Sequence, residues 1–352
     1  MKHTVLGVLD SRRRATVDGA GHVVLAGGAT LDWWVGAEDR RHHPGREAAV
    51  RQRRLGPGPV LETSMRVPGG DAIQRVYAAG GPADLVVMEV ENASPVPFAV
   101  GFVVRRRLLQ RRRPDLELPR PPLREESEGD EHALVYPVAH RTRIRVGVVL
   151  GRRAGAIDLT ALPAADDITR GWEAQLRRGL RVDLPDDQLQ QAVEEARADV
   201  LLTGRDVAPL EDWGFDDEAA AAWSSLGFRA RRWAQRRSHR SATWSEVEQG
   251  REQGGASLLA PLRSMLVHEA EDGVALLSEL PPSWVGQPLE VHDAPTRAAG
   301  RVSFAVRWHG DRPALLWECE RLDATVRAPG LDRAWSTPEP SGDALLGRSV
   351  DA

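Results

Sequence analysis

The spacing of apolar residues changes twice along this chain, and the two changes divide it into three stretches. Over residues 4–150 short apolar or alternating runs follow one another: 4–9, 22–25, 60–67, 72–77, 85–90, 98–104, 133–138 and 143–150. Alternation with period two places every second side chain on one face, so these runs read as strands. Val67-Pro68-Gly69-Gly70-Asp71 joins two of them with hairpin chemistry, since proline pre-sets its φ and glycine reaches positive φ without strain. Many short strands at this spacing predict an antiparallel β-sandwich rather than alternating βαβ units. Residues 105–131, with two arginine triplets, a proline cluster and then an acidic run, read as one long exposed loop.

Between residues 166 and 271 the period becomes helical. Ile168, Trp172, Leu176 and Leu180 recur every four residues behind Asp166 and Asp167, which can cap a helix. Leu184-Pro185-Asp186 opens a second helix with Leu189, Val193, Ala196, Val200 and Leu201 inward and Gly204 as its stop. Asp216, Asp217 and Glu218 favour the start of a third, running through Trp223 toward Trp233. Residues 258–266 make a further helix behind a flexible glycine-containing stretch at 250–255. After Asp272-Gly273 alternation returns at 274–277, 289–292, 302–308, 314–319 and 324–327, and the polar tail 336–352 is expected to fray. The expected fold class is α+β and multidomain: an antiparallel β-sandwich over residues 1–160, a short helical segment over 161–272, and a small carboxy-terminal β-domain over 273–348 packed on the helices.

Charge and motifs exclude several functions. A formal net charge of -4 argues against a dedicated polyanion binder, and the arginine-rich half of residues 105–131 adjoins an acidic half with no aromatic residues between them. No nucleic-acid partner is expected. No stretch reaches the length of a membrane span, so no membrane partner is expected and the cytoplasm is the expected location. The single cysteine, Cys319, lies in an apolar run and reads as a buried, inert thiol. There is no His-Glu-x-x-His, paired-cysteine, Walker, Rossmann or Gly-x-Ser-x-Gly pattern, and no metal or other cofactor is expected.

One segment carries a family resemblance. Leu276-Leu277-Ser278-Glu279-Leu280-Pro281-Pro282-Ser283-Trp284, with Leu289-Glu290-Val291 and the run from Arg301 to Glu318, resembles the segment after the last toroid helix in α-fucosidase-like and α-rhamnosidase-like enzymes. The order of sandwich, helices and small β-domain is also similar to glycosidases built on a six-hairpin (α/α) toroid, and the whole chain looks like proteins of actinobacteria. The resemblance implies a carbohydrate-related protein. Twelve helices of about eleven residues each do not fit between residues 166 and 271, so the toroid is incomplete, and no catalytic motif of the family matches residue by residue.

Glycoside hydrolysis needs two carboxyl groups, one acid and one base or nucleophile. The acidic turn from Glu211 to Glu218 supplies the candidates: Glu211 as acid, Asp212 as base or hydroxyl acceptor, and Trp213 as a sugar platform, with Glu279 or Glu318 as second carboxylate. The same residues also read as a helix cap and a stapled turn. Trp284, Trp308 and Trp317 are candidate groove-lining residues, or else seal an interface between helices and sheet. Of Trp33 and Trp34, which follow Asp32, one belongs in the core and the other at an interface, because neighbouring strand residues face opposite ways. The expected function is glycan or partner binding without catalysis, and the alternative is an active glycoside hydrolase using Glu211. Candidate partners are a saccharide ligand and a second copy of the chain or another protein.

Overall fold

A computed structural model describes residues 3–105, 115–151, 155, 157–226, 240–270, 272–322 and 325–347. It is α+β and mostly antiparallel sheet, with six α-helices among the described residues. The chain forms two compact units, residues 1–173 and 174–352.

The first unit holds two sheets. One runs in the order β1 (Thr4–Leu6), β2 (Ala15–Val17), β3 (Val23–Leu25), β4 (Thr30–Gly36), β10 (Phe98–Arg105), β13 (Glu131–Val138) and β12 (Arg124–Glu128), with β5 (Arg41–His42) also paired to β4. The other runs β11 (Leu116–Glu117), β14 (Arg143–Val149), β9 (Leu85–Asn92), β8 (Gly70–Ala79), β7 (Leu61–Val67) and β6 (Arg51–Arg54). Alternate residues of both sheets, among them Trp33, Val100, Phe102 and Tyr136 from one and Met65, Val76, Met88 and Val146 from the other, form one shared hydrophobic cluster. This is the sandwich that the alternation predicts.

β9 and β10 are nearly continuous apolar runs because both of their faces are covered. Behind β9, Leu85 and Val87 pack with Tyr77, Ile157, Leu159 and Ala165, so the segment after the last strand closes the outer face of the second sheet. The Tyr77 hydroxyl donates to the Pro163 carbonyl at 3.1 Å. Behind β10, Val103 joins Trp34, Ala133 and Val135 in a small cluster on the outer face of the first sheet.

In the second unit, helices α2 (Asp187–Thr203), α3 (Val207–Asp212), α4 (Asp216–Ser225), α5 (Trp244–Gln253) and α6 (Ala256–Leu266) lie in sequence between two paired strands. β15 (Arg181–Asp183) precedes them and pairs antiparallel with β18 (Leu289–Thr296), which follows them. The sheet continues through β19 (Gly300–His309), β20 (Arg312–Cys319) and β23 (Ser341–Leu345). A second sheet contains β16 (Val267–Ala270), β17 (Gly273–Leu276), β21 (Thr325–Ala328) and β22 (Asp332–Thr337), with β17 and β21 parallel. The α2 boundaries follow the sequence signals: the Asp186 carboxylate accepts from the Leu189 N–H, and Gly204 ends the helix in the left-handed region.

Several expectations need correction. The helix α1 (Ala165–Leu176) ends before Leu180, which lies beyond it in the buried approach to β15. The supposed long loop contains β11 and β12, and β12 pairs with β13 because Gly129 and Asp130 turn the chain back as a hairpin. Residues 106–114 of that loop and Trp233 lie outside the described residues. The glycine-containing stretch is largely helix: α5 starts on a capping box of Thr243 and Glu246 and includes Gly250, with Gly254 and Gly255 at positive φ after it. The carboxy-terminal tail supplies the end of β22 and all of β23. Trp317 packs over Gly342 and meets Trp335 edge to face, so the polar tail gains an aromatic anchor.

Candidate functional site

The turn that holds Glu211, Asp212 and Trp213 is folded as a stapled corner. Asp212 ends α3, and Trp213 is its fully buried C-cap, whose indole N–H donates to the Leu259 carbonyl at 3.2 Å. The Arg197 guanidinium lies over the Trp213 ring at 5.5 Å. Burial pulls the Arg197 pKa down to about 10. The Glu211 carboxylate accepts the Trp223 indole N–H, which ties α3 to α4. Glu279 accepts the Trp244 backbone N–H at 2.8 Å at the start of α5. Glu318 stands exposed on β20. Trp284 is buried and meets Trp244 edge to face, and Trp308 is half-buried with its N–H on the Gln287 carbonyl at 2.8 Å. Glu211, Asp212, Trp213, Trp284 and Trp308 therefore occupy a helix corner, a short 3₁₀ turn and a strand, each engaged in packing or hydrogen bonding.

A concave site with converging polar groups lies instead on the outer face of the first sheet. A pocket of about 450 Å³ is lined by, among others, His22, Asp32, Trp34, Arg41, Arg105 and Glu131. Register builds it. Asp32 of β4 lies in one row with Val103, Ala133 and Glu126, while Thr30 lies in the next outward row with Arg105, Glu131 and Glu128. Successive outward positions along four neighbouring strands thus meet over an apolar floor.

The indole of Trp34 lies across two glycines. A Cβ on Gly101 would stand 2.1 Å from its Cε2, so only glycine at 101 lets the ring lie there, and one on Gly36 would press on Cζ3 at 3.2 Å. Arg41, on β5 opposite Gly36, covers the ring with its guanidinium 4.4 Å from the centroid and donates to Glu126 at 3.0 Å. The adjacent His42 is buried and contacts Asp39 at 2.9 Å and Glu47 at 3.2 Å, which fastens this loop.

The charges alternate across the site. Arg105 pairs with Asp32 and donates to Glu131 at 2.8 Å. His22 meets the Asp18 carboxylate at 3.2 Å. Burial raises the Asp32 pKa, against the opposing pull of His22 and Arg105. Burial also works against a charged His22, but its hydrogen bond to Asp18 and the nearby Asp32 and Asp18 charges outweigh it and raise its pKa above 6.5. Asp18 is pushed up by burial and pulled down more strongly by His22 and backbone N–H groups, to about 2. Burial, then Arg46 and Arg41, lower the pKa of His43 on the same wall.

Compared with known proteins, the chain matches no protein-family model and no curated sequence. Among the described residues no group of three or more His, Cys, Asp and Glu side chains could hold a metal ion, and no helix is long and apolar enough to cross a membrane. Alternation places one member of the Trp33-Trp34 pair at an interface but does not reveal the pocket, because Glu126, Glu128 and Glu131 fall in a polar segment with no apolar period. A usable signal was present: Gly101 interrupts an apolar strand, which marks a close approach of another group.

Proposed function

We propose that this is a non-catalytic, carbohydrate-related protein with an incomplete (α/α) toroid, and that it binds a neutral saccharide in the pocket on the outer face of its amino-terminal sheet. The observation that carries this reading is the lining of the pocket. Its volume of about 450 Å³ falls in the range of small-molecule sites. Paired charges such as Arg105 with Asp32 and Glu131 offer donors and acceptors side by side beside an indole. That combination suits vicinal hydroxyls on a ring with an apolar face. Against hydrolysis by Glu211, both Glu211 and Glu279 are engaged in local hydrogen bonds, where that reaction would require two carboxyl groups facing each other across an open cleft.

Titration calorimetry of the full chain against neutral mono- and oligosaccharides tests the reading, with a Glu128→Gln/Glu131→Gln double variant alongside. A bound sugar is expected to lose about tenfold or more in affinity in the variant, as hydrogen bonds to charged acceptors weaken. Binding that ignores the double substitution would put the site elsewhere, and a panel with no binder would end the saccharide assignment.

A further inference from the structure

We propose that Trp34 is the platform on which a pyranose ring stacks, and that the Arg41 side chain is a gate that swings off the indole to admit it. The inference deepens the saccharide reading and rests on it. One face of the indole is committed to the sheet, because the ring lies on Gly101 where even a Cβ would clash at 2.1 Å. The other face is covered by the Arg41 guanidinium at 4.4 Å, which leaves Trp34 only 3 % exposed. The cover is a displaceable side chain. Arg41 itself is 48 % exposed, and its tie to Glu126 at 3.0 Å is an ion pair at the rim. Exposed pairs and exposed cation-π contacts are each weak, so an exchange of guanidinium for a sugar face of similar flatness is energetically accessible.

Val103, Ala133 and Val135 pack around the indole and hold it in place, so the moving part is the arginine and not the platform. The ligand class that follows is a pyranoside with one unobstructed face of C–H groups.

The test titrates methyl gluco-, galacto- and mannopyranosides into wild type, Arg41→Ala and Trp34→Phe, followed by calorimetry and by the indole N–H resonance of Trp34. Thermal unfolding of Trp34→Phe checks that the variant is folded. Removing the gate is expected to tighten binding about fivefold or more, since neither the ion pair nor the cation-π contact then has to be broken. The Trp34 resonance should shift on binding, and Trp34→Phe should weaken binding. A glycoside that binds wild type and Arg41→Ala equally, or leaves the Trp34 resonance unmoved, overturns the gate while the pocket assignment stands. If no glycoside binds either protein, both the gate and the saccharide reading fall.

Discussion

His22 illustrates how single residues in the pocket link charge to stability. Its imidazole contacts Asp18 and lies within the field of the Asp32 charge, and the folded pKa is raised above 6.5. The stabilisation from this arrangement is fully present below 6.5 and is lost as the pH rises through the higher folded value. Asp18 behaves in the opposite sense: its contribution is present above 3.8 and is lost as the pH falls through about 2. Thermal unfolding followed between about pH 5 and 9 should show wild type losing stability on the alkaline side, with His22→Gln flatter over the same interval. A variant with the same alkaline decline as wild type would remove His22 as its cause. Alternation alone assigns Asp32 and Trp34 to one face and Trp33 to the other. It cannot reveal that Arg41, brought close by β5, lies over Trp34, because that contact depends on how a loop returns to the sheet.

Among the elements, the outer face of the second sheet carries a charged row that no single strand shows. Arg53, Glu62, Arg75, Glu89 and Arg145 stand directly opposite one another on β6, β7, β8, β9 and β14. Opposite charges at facing positions stabilise strand pairing and discourage register slips. Glu89 is the most deeply buried member at 1 % exposure, with Arg145 at 2.8 Å and Arg143 at 3.1 Å. Arg145 also donates to the Leu159 and Leu162 carbonyls, each at 3.1 Å, and so fastens the covering segment to the sheet. Glu89→Gln is expected to cost about 3 kcal/mol, because it leaves partly buried arginines without their carboxylate. Urea denaturation measures this, and a loss below about 1 kcal/mol would show the row to be worth no more than a surface pair. In sequence these residues look like polar punctuation within apolar strands. Helix α5 was hidden differently: Thr243-x-x-Glu246 is a start signal, but only Val247 and Gly250 of that helix are buried, too few for an apolar period.

For the whole molecule, the division into residues 1–173 and 174–352 makes a fragment experiment informative. Ile157, Leu159 and Ala165 cover Leu85, Val87 and Tyr77, so the sandwich needs the segment that follows its last strand. A fragment of residues 1–173 should unfold cooperatively in calorimetry, whereas one ending at residue 150 should unfold at lower temperature or aggregate, with that apolar face uncovered. Equal melting temperatures would mean that the covering segment adds nothing to stability. The strand-rich class, many strand positions of the sandwich, the hairpin at Pro68 and Gly69, and both ends of α2 are legible in the residues alone. All of these depend on side-chain period and on local turn and cap chemistry, which neighbouring residues specify. The folded chain alone shows that β15 pairs with β18 across the helices, that β23 of the tail closes one sheet edge, and that Trp34, Arg41, Asp32, Arg105 and His22 share one pocket. Those juxtapositions join residues far apart in the chain, and register between strands, rather than composition within them, brings the side chains together.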